Sequence, residues 1–376
     1  MAAESKLPMS AVVNFREASL EDYAAIAAVL TRNGLYIKSR EEWEHLWVGN
    51  PVYQKASDWT IGWVAENADR EIVGYIGNIP LSAEFKGREI ISACVTSLVM
   101  DSRHRGRGYA GFLIRRILHY RTAELVIVST ANAVSANLLK SLGMHRVPAG
   151  DWGHAAFWIT NYRGFVASVL SKRGWPKLLS YPGAAGLALR DRLKRDDSWM
   201  RRNRQELQVC SSFDQRFDRF WEELKRAYPE RLLPTRSREA LQWHYKYVLA
   251  QGRAWIVTVG DGSRLMAYAV FRRRDVPEHA LKRIQLVDFQ VLNGDMQILV
   301  AMLAWAVAKC QKDGIHVLEA FGFRPDKQAI IDNLAPHRRQ LPSWWYYYNP
   351  VNKDLAPELR DPAVWDPSHF DGDASL

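Results

Sequence analysis

Thr96-Ser97-Leu98-Val99-Met100-Asp101-Ser102-Arg103-His104-Arg105-Gly106-Arg107-Gly108-Tyr109-Ala110 says more about the fold than any other stretch of the 376 residues. A β-rich, apolar run reaches Met100, a basic loop with two glycines follows, and Gly111 to His119 then carries apolar residues at helical spacing. This reads as strand, loop, helix. The first backbone N–H groups of such a helix have no intrahelical acceptor and converge on one point, where the helix dipole also favours negative charge. Glycine lets the chain turn tightly and lets a phosphate come up to the backbone, and Arg105 and Arg107 add attraction. The segment predicts a pyrophosphate site after a buried strand. Rossmann and P-loop sites fit less well, because the glycines open a helix without the acidic partner and no Gly-Lys-Ser/Thr occurs.

Upstream, a strand is expected over Val12 to Arg16, with Ser19 as the N-cap of a helix over Leu20 to Leu30. A second helix runs from about Arg40 to Trp47 and stops at Gly49-Asn50-Pro51. Three strands follow, Thr60 to Ala65, Ile72 to Ala83 and Ile90 to Met100, the last two joined as a hairpin at Gly87. Downstream of the loop come a helix to Tyr120, a short strand over Leu125 to Thr130, a helix over Ser135 to Leu142, and a closing strand over Ala155 to Thr160.

The same order returns after residue 207. Ser39-Arg40-Glu41-Glu42-Trp43 is matched by Ser237-Arg238-Glu239-Ala240-Leu241-Gln242-Trp243. Trp59-Thr60-Ile61 answers to Trp255-Ile256-Val257, and Val73-Gly74-Tyr75-Ile76 to Met266-Ala267-Tyr268-Ala269. Leu142-Gly143-Met144-His145-Arg146 is echoed by Leu334-Ala335-Pro336-His337-Arg338. Matches kept in register read as a tandem duplication. The expected division is therefore 1–163, a linker 164–206 with a basic helix near Leu187 to Glu206, a second half 207–348, and an extended C-terminal tail 349–376. That linker helix reads as a solvated connector or as an anion- or membrane-facing surface. Trp344-Trp345-Tyr346-Tyr347-Tyr348 reads as a strand buried on one face, with Ala155-Ala156-Phe157-Trp158 as its counterpart.

Composition bounds the function. Hydrophobic content of 48% with 24% charged residues is that of a globular protein. Cys94, Cys210 and Cys310 are far apart and show no metal-ligand spacing, so reduced thiols and no metal site are expected. The first ten residues have no apolar h-region, and no stretch approaches 18 uninterrupted apolar residues, which points to a cytoplasmic chain without a transmembrane segment. The formal net charge of +10 suits an anionic partner such as a nucleotide cofactor, a sugar nucleotide, an acidic carrier protein, RNA or a membrane surface, without choosing among them.

Arg105-x-x-Gly108-x-Ala110 resembles the Gln/Arg-x-x-Gly-x-Gly/Ala acyl-CoA signature of the GNAT superfamily, in the family's place between its fourth strand and third helix. A second match is Asn132, which stands eleven residues before Gly143, where the family's later helix often carries an Asn; Gly143-Met144 stands for its Gly-Phe. The resemblance covers Val12 to Thr160 and, more weakly, Leu207 to Tyr348. It implies an α/β (α+β) fold of two tandem GNAT-like domains, each a mixed, mostly antiparallel twisted sheet flanked by helices. It also implies acetyl-CoA, or another acyl-CoA, bound by Leu98, Val99, Met100, Arg105, Gly106, Arg107, Gly108, Tyr109, Ala110 and Asn132. The family's thioester cleft would lie between the strands at Leu98 to Met100 and Leu125 to Thr130, with a backbone N–H near Val99 or Met100 stabilising the oxyanion.

Two departures from the family pattern concern proton transfer. The fourth strand has Cys94, Thr96 and Leu98 where a Glu base is common, and Leu139 holds the place of the family's Tyr. Proton transfer then falls to water or to candidates such as Thr96, Ser129, His154 and Tyr36; Cys94 reads as a buried strand residue. The second half has Val291-Leu292-Asn293-Gly294-Asp295-Met296 in place of the loop, with an acid that would repel phosphate. The leading function is N-acetylation of a small amine, such as an aminosugar or a sugar nucleotide, with no specific nucleic acid involved. Open alternatives are a longer-chain acyltransferase using acyl-carrier protein and a module that binds acyl-CoA without turnover. The tandem arrangement is also similar to Fem aminoacyl transferases, but an intact CoA loop argues against charged tRNA. The oligomeric state is not read from the sequence.

Overall fold

The computed structural model describes residues 13–376 except 57, 151, 195–198 and 200–206, and gives only the backbone at Lys177 and Lys194. It is an α/β fold of two mixed, mostly antiparallel sheets with helices packed on them. The first sheet begins with β1 (Asn14–Glu17), β2 (Gly62–Glu66), β3 (Ile72–Phe85), β4 (Arg88–Met100) and β5 (Leu125–Asn132), side by side in that order. β3 and β4 turn on Lys86 and Gly87 alone, with φ of 53° and 76°, the two positive values that a tight two-residue hairpin requires. Helix α1 (Tyr23–Arg32) buries Ile26, Val29 and Leu30. The Arg40 to Trp47 helix is shorter than expected: α2 spans Arg40–Glu44, and α3 (Pro51–Lys55) restarts after Asn50.

The strand expected to close the first half lies elsewhere. β7 (His154–Ile159) joins the second sheet, whose order is β8 (Gln208–Cys210), β10 (Ala254–Gly260), β11 (Leu265–Arg273), β12 (Arg283–Val291), β13 (Val317–Ala320), β7 and β14 (His337–Gln340). Its counterpart β15 (Ser343–Pro350) crosses the other way and sits between β5 and β6 (His145–Arg146). Short β9 (Leu233–Pro234), from the second half, pairs with β3. The two sheets repeat one strand order, and each takes its penultimate strand from the other half. Residue pattern cannot reveal such an exchange, because either strand offers the same apolar face to either sheet. The repeated anchors do correspond: Ser39 and Ser237 both cap helices, accepting from the N–H of Glu42 and of Ala240 at 3.2 Å.

Between the halves, helices cover Tyr162–Lys172 and Ser180–Lys194, earlier than the helix expected over Leu187 to Glu206; most of that stretch lies outside the described residues. Among the described residues no helix is long and apolar enough to cross a membrane.

Residues 349–376 do not wrap the body as an extended tail. From Lys353 they fold into a series of 3₁₀ turns, of which Val364 to Gly372 are buried, with Asp373 and Leu376 half-buried beyond them. Arg236, itself fully buried, holds this segment. Its guanidinium donates to both oxygens of Asp288 on β12 at 3.0 Å, to Asp371 Oδ1 at 3.0 Å and to Ser368 Oγ at 3.2 Å. Tyr268 adds a 2.7 Å bond to Asp288. Asp and Pro in a tail read as surface, and the buried cation that Asp371 shares with Asp288 is what takes this one inside.

Burial, and after it the neighbouring Asp288, push the Asp371 carboxyl up from 3.8 to about 7, against the opposing pull of Arg236. A folded-state pKa above the unfolded one means the native protein binds the extra proton between those values, so stability falls as pH rises from 3.8 through about 7. Urea unfolding across that window should show this slope flattened in Asp371→Asn; an unchanged slope would assign it to another group.

Candidate functional site

β4 carries an irregularity where the site begins. Tyr75 pairs with Val99 and Gly77 with Thr96, so Ser97 and Leu98 together face Ile76. Two residues against one make a β-bulge, and Ser97 takes the left-handed φ of 54° that a non-glycine residue adopts only when its surroundings fix it. β4 runs parallel to β5, but the ladder covers only Ser92–Cys94 with Leu125–Ile127. Beyond it the strands part. β5 keeps its other edge bonded to β15 out to Asn132, so the split opens on the β4 side alone.

The glycine loop stands at the open end of this fork. A 3₁₀ turn (Ser102–His104) leads to Arg105, whose Nε donates to Met100 O at 3.0 Å and whose Nη2 donates to Asn33 Oδ1 at 2.5 Å. Arg105 is therefore held against the end of β4, while Arg107 stays exposed. Gly106 and Gly108 have φ of 77° and 80°, and a side-chain carbon at either would meet no atom within 4 Å. Gly108 starts helix α4 (Tyr109–Leu118), which buries Leu113, Ile114 and Ile117, and the first bond of that helix is Phe112 N–H to Gly108 O at 3.3 Å. The amides of Tyr109, Ala110 and Gly111 precede it, ahead of the helix's own hydrogen-bond ladder. Strand, loop and helix thus meet as the sequence predicts. The Tyr109 ring packs on Phe15, so this residue serves the loop through its backbone.

Other expected cofactor contacts divide. The Val99 and Met100 side chains are buried and Leu98 partly so, leaving the backbone of β4 as what they can present. Asn132 is the N-cap of helix α5 (Ala133–Ser141), its Oδ1 accepting from Val134 and Ser135 N–H at 3.0 Å. Leu139 is fully buried in the main core.

The fork holds the end of the chain. A side-chain carbon on Gly372 would come within 2.2 Å of Ser129 Oγ, so only glycine fits there. Asp373 follows, half-buried. Its Oδ1 accepts from Ser129 Oγ at 2.8 Å and from Thr130 Oγ1 at 3.2 Å. Burial raises the Asp373 pKa against the pull of these donors. Ser129 and Thr130 are therefore engaged by a residue that sequence reasoning left in the C-terminal tail, while Thr96 on β4 has its Oγ1 3.4 Å from Ser97 Oγ. His154 is elsewhere, on β7 of the second sheet with Asp332 at 3.1 Å. Tyr36 is exposed on the loop before α2. Burial pushes the Cys94 thiol up, which keeps it protonated and unreactive. In the second half, Asp295 Oδ1 accepts from Gln297 N–H at 2.9 Å just before helix Gln297–Lys312, so an acid stands at that helix start. A crevice walled by Pro51, Leu81, Trp243, His244 and Phe370 shares no residue with the loop.

No family model matches the chain, and no curated protein matches its sequence. Its structure resembles a GCN5-related N-acetyltransferase from Anabaena variabilis ATCC 29413, with 12% identity and a TM-score of 0.54 over 91% of this chain and 74% of the other. A GCN5-related N-acetyltransferase from Kribbella flavida is similar at 12% identity and TM-score 0.56, over 93% and 73%. So is Saccharomyces cerevisiae N-myristoyltransferase with bound myristoyl-CoA, at 11% identity and TM-score 0.58, over 93% and 81%. At these identities the likeness shows a shared fold.

Leu139→Tyr should act on stability. A phenol added at a fully buried core position costs about 1–3 kcal/mol by overpacking. Urea unfolding should record that loss, and a variant as stable as the parent would show that position 139 opens into a cleft after all.

Proposed function

We propose that the protein is an acyl-CoA-dependent N-acyltransferase that moves an acyl group from the CoA sulfur to a primary amine by direct attack. The observation that carries this reading is the parting of β4 from β5 beside a loop whose first-turn amides are open to an anion. In this reading the pyrophosphate rests on the amides from Gly106 to Gly111, with Arg107 adding charge. The pantetheine amides bond to the edge of β4 at Leu98 to Met100 like an added strand. The thioester then lies at the bulge, where an N–H of Val99 or Met100 takes the oxyanion as the amine nitrogen bonds to the acyl carbon. The C–S bond breaks and the thiolate leaves. The proton lost by the nitrogen goes to Asp373, which Ser129 and Thr130 orient. A base is useful because an amine of pKa near 10 is neutral in only about one part in a thousand at pH 7. The raised pKa of Asp373 suits that task better than an ordinary carboxylate would.

An acetyl or other short acyl group is favoured over a long one, because Gly372 closes the inner end of the fork against Ser129 and Cys94. The acceptor is read as a small amine, an aminosugar or sugar nucleotide among the candidates.

Loss of acetyl-CoA thioester with a panel of amines tests the reaction, and amine-independent binding of CoA without such loss would favour a binding module instead. Asp373→Asn should lower kcat/KM by about 10²-fold, within the usual range for a lost general base, and remove the acid limb of the pH profile while CoA affinity holds. An acid limb that survives the substitution would take the role away from Asp373.

A further inference from the structure

The helix Ser180–Lys194 turns small residues inward and two of its three leucines to solvent. It packs beside the helix Tyr162–Lys172, with the 3₁₀ turn Lys177–Leu179 between them in the chain. On its inner side Ser180, Ala184 and Asp191 are buried, and a side-chain carbon at Gly183 would come within 3.1 Å of Val166 Cγ1. Its outer side carries Tyr181, Ala185, Leu189 and Leu193, all exposed, at a four-residue spacing that lines them up along the helix. A helix on the surface of a globular domain normally does the reverse, burying its leucines. Of the twelve large apolar side chains exposed among the described residues, half fall between 175 and 193: Trp175, Leu178, Leu179, Tyr181, Leu189 and Leu193. Leu178 and Leu193 are 80% and 79% exposed, so neither finds cover in the fold.

The charges around this strip have one sign. From 162 to 194 the sequence holds seven basic residues and a single acid, Asp191. That acid faces inward, accepting from the Tyr162 hydroxyl at 3.0 Å and paired with His337 Nε2 at 2.8 Å. Lys172, Arg173 and Arg192 are exposed, and Arg190, which reaches Asp191 at 3.2 Å, stays half-exposed. The Arg163 guanidinium lies 4.1 Å from the centre of the Tyr181 ring, a cation at the edge of the strip. Contiguous exposed apolar surface marks an interaction site, and the chemistry here selects the partner. A second copy of the chain would set two cationic faces against each other, which works against self-association. An anionic bilayer complements both features. Leucines enter the acyl boundary, Trp175 and Tyr181 suit the headgroup level, and the basic side chains meet phosphates.

We propose that the face from Trp175 to Leu193 docks the protein on an anionic phospholipid surface. The contact is peripheral: among the described residues no helix is long and apolar enough to cross a membrane. None of these residues belongs to the glycine loop or to the fork, so docking does not depend on the transferase reading.

Co-sedimentation of the full-length protein with vesicles tests this. One set is phosphatidylcholine alone, and the other contains about one third phosphatidylglycerol. Partition onto the anionic vesicles should exceed that onto the neutral ones by about tenfold or more, and should fall as salt is raised. Leu189→Ser combined with Leu193→Ser keeps the net charge and should lower the anionic partition by about tenfold. Arg173→Gln combined with Arg192→Gln should lower it by about as much and leave the neutral-vesicle partition unchanged. All four side chains are exposed, so the melting temperature of each variant should match the parent's. No partition onto anionic vesicles, equal partition onto both sets, or an anionic partition that the leucine variant leaves intact overturns the proposal. Dimers of the parent that the leucine variant abolishes, without vesicle binding, would give the strip to a second copy instead.

Discussion

The buried guanidinium of Arg236 fixes where the last ten residues go, and the site depends on where they go. It meets Asp288 on β12 with one fork of donors and the tail's Asp371 and Ser368 with another. The next two residues, Gly372 and Asp373, are thereby delivered between β4 and β5. Breaking a buried charge cluster by removing one partner typically costs about 3–5 kcal/mol, because the partners are left uncompensated in a poor solvent. The cluster is therefore less a source of net stability than a fixed register: the tail can enter the fork in one way only. His244, bonded to Ser375 at 2.7 Å, continues the same attachment along the turn.

The duplication gives each half a parallel strand pair that begins together and then parts. In the first sheet this is β4 with β5, and in the second β12 with β13, paired only from Arg283 to Gln285 against Val317 to Glu319. The tail serves the two openings differently. His369 to Asp371 lie against the second sheet through Arg236 and Asp288, and Asp373 reaches into the first. With Asp295 already capping the helix that follows β12, the second half offers polar anchorage where the first offers an open loop. The exchange of β7 and β15 binds the halves further, since each sheet would lose an internal strand without the other.

Much of this was legible from local pattern. The hairpin at Gly87, the strand ending at Met100 and the helix opening at Tyr109 follow from apolar periodicity and from glycines at positions of positive φ. The internal repeat predicted a second unit of the same order. What was not legible involves partners far apart in the chain. The strand exchange depends on which of two equivalent faces a strand chooses. Asp373 finds Ser129 and Thr130 some 240 positions away, and nothing in Asp371-Gly372-Asp373 marks it as interior. His154 was a reasonable candidate by type, yet its strand belongs to the other sheet.

The central claim is that one loop in this duplicated chain, Arg105 to Ala110, holds the donor. Calorimetric titration of CoA into the full-length protein measures this directly, with Gly108→Glu as the companion, since that change puts a negative side chain into open space at the helix start. The account predicts one CoA per chain in the parent, with affinity lowered well over tenfold in the variant. Two CoA per chain, or binding that Gly108→Glu leaves intact, would contradict it.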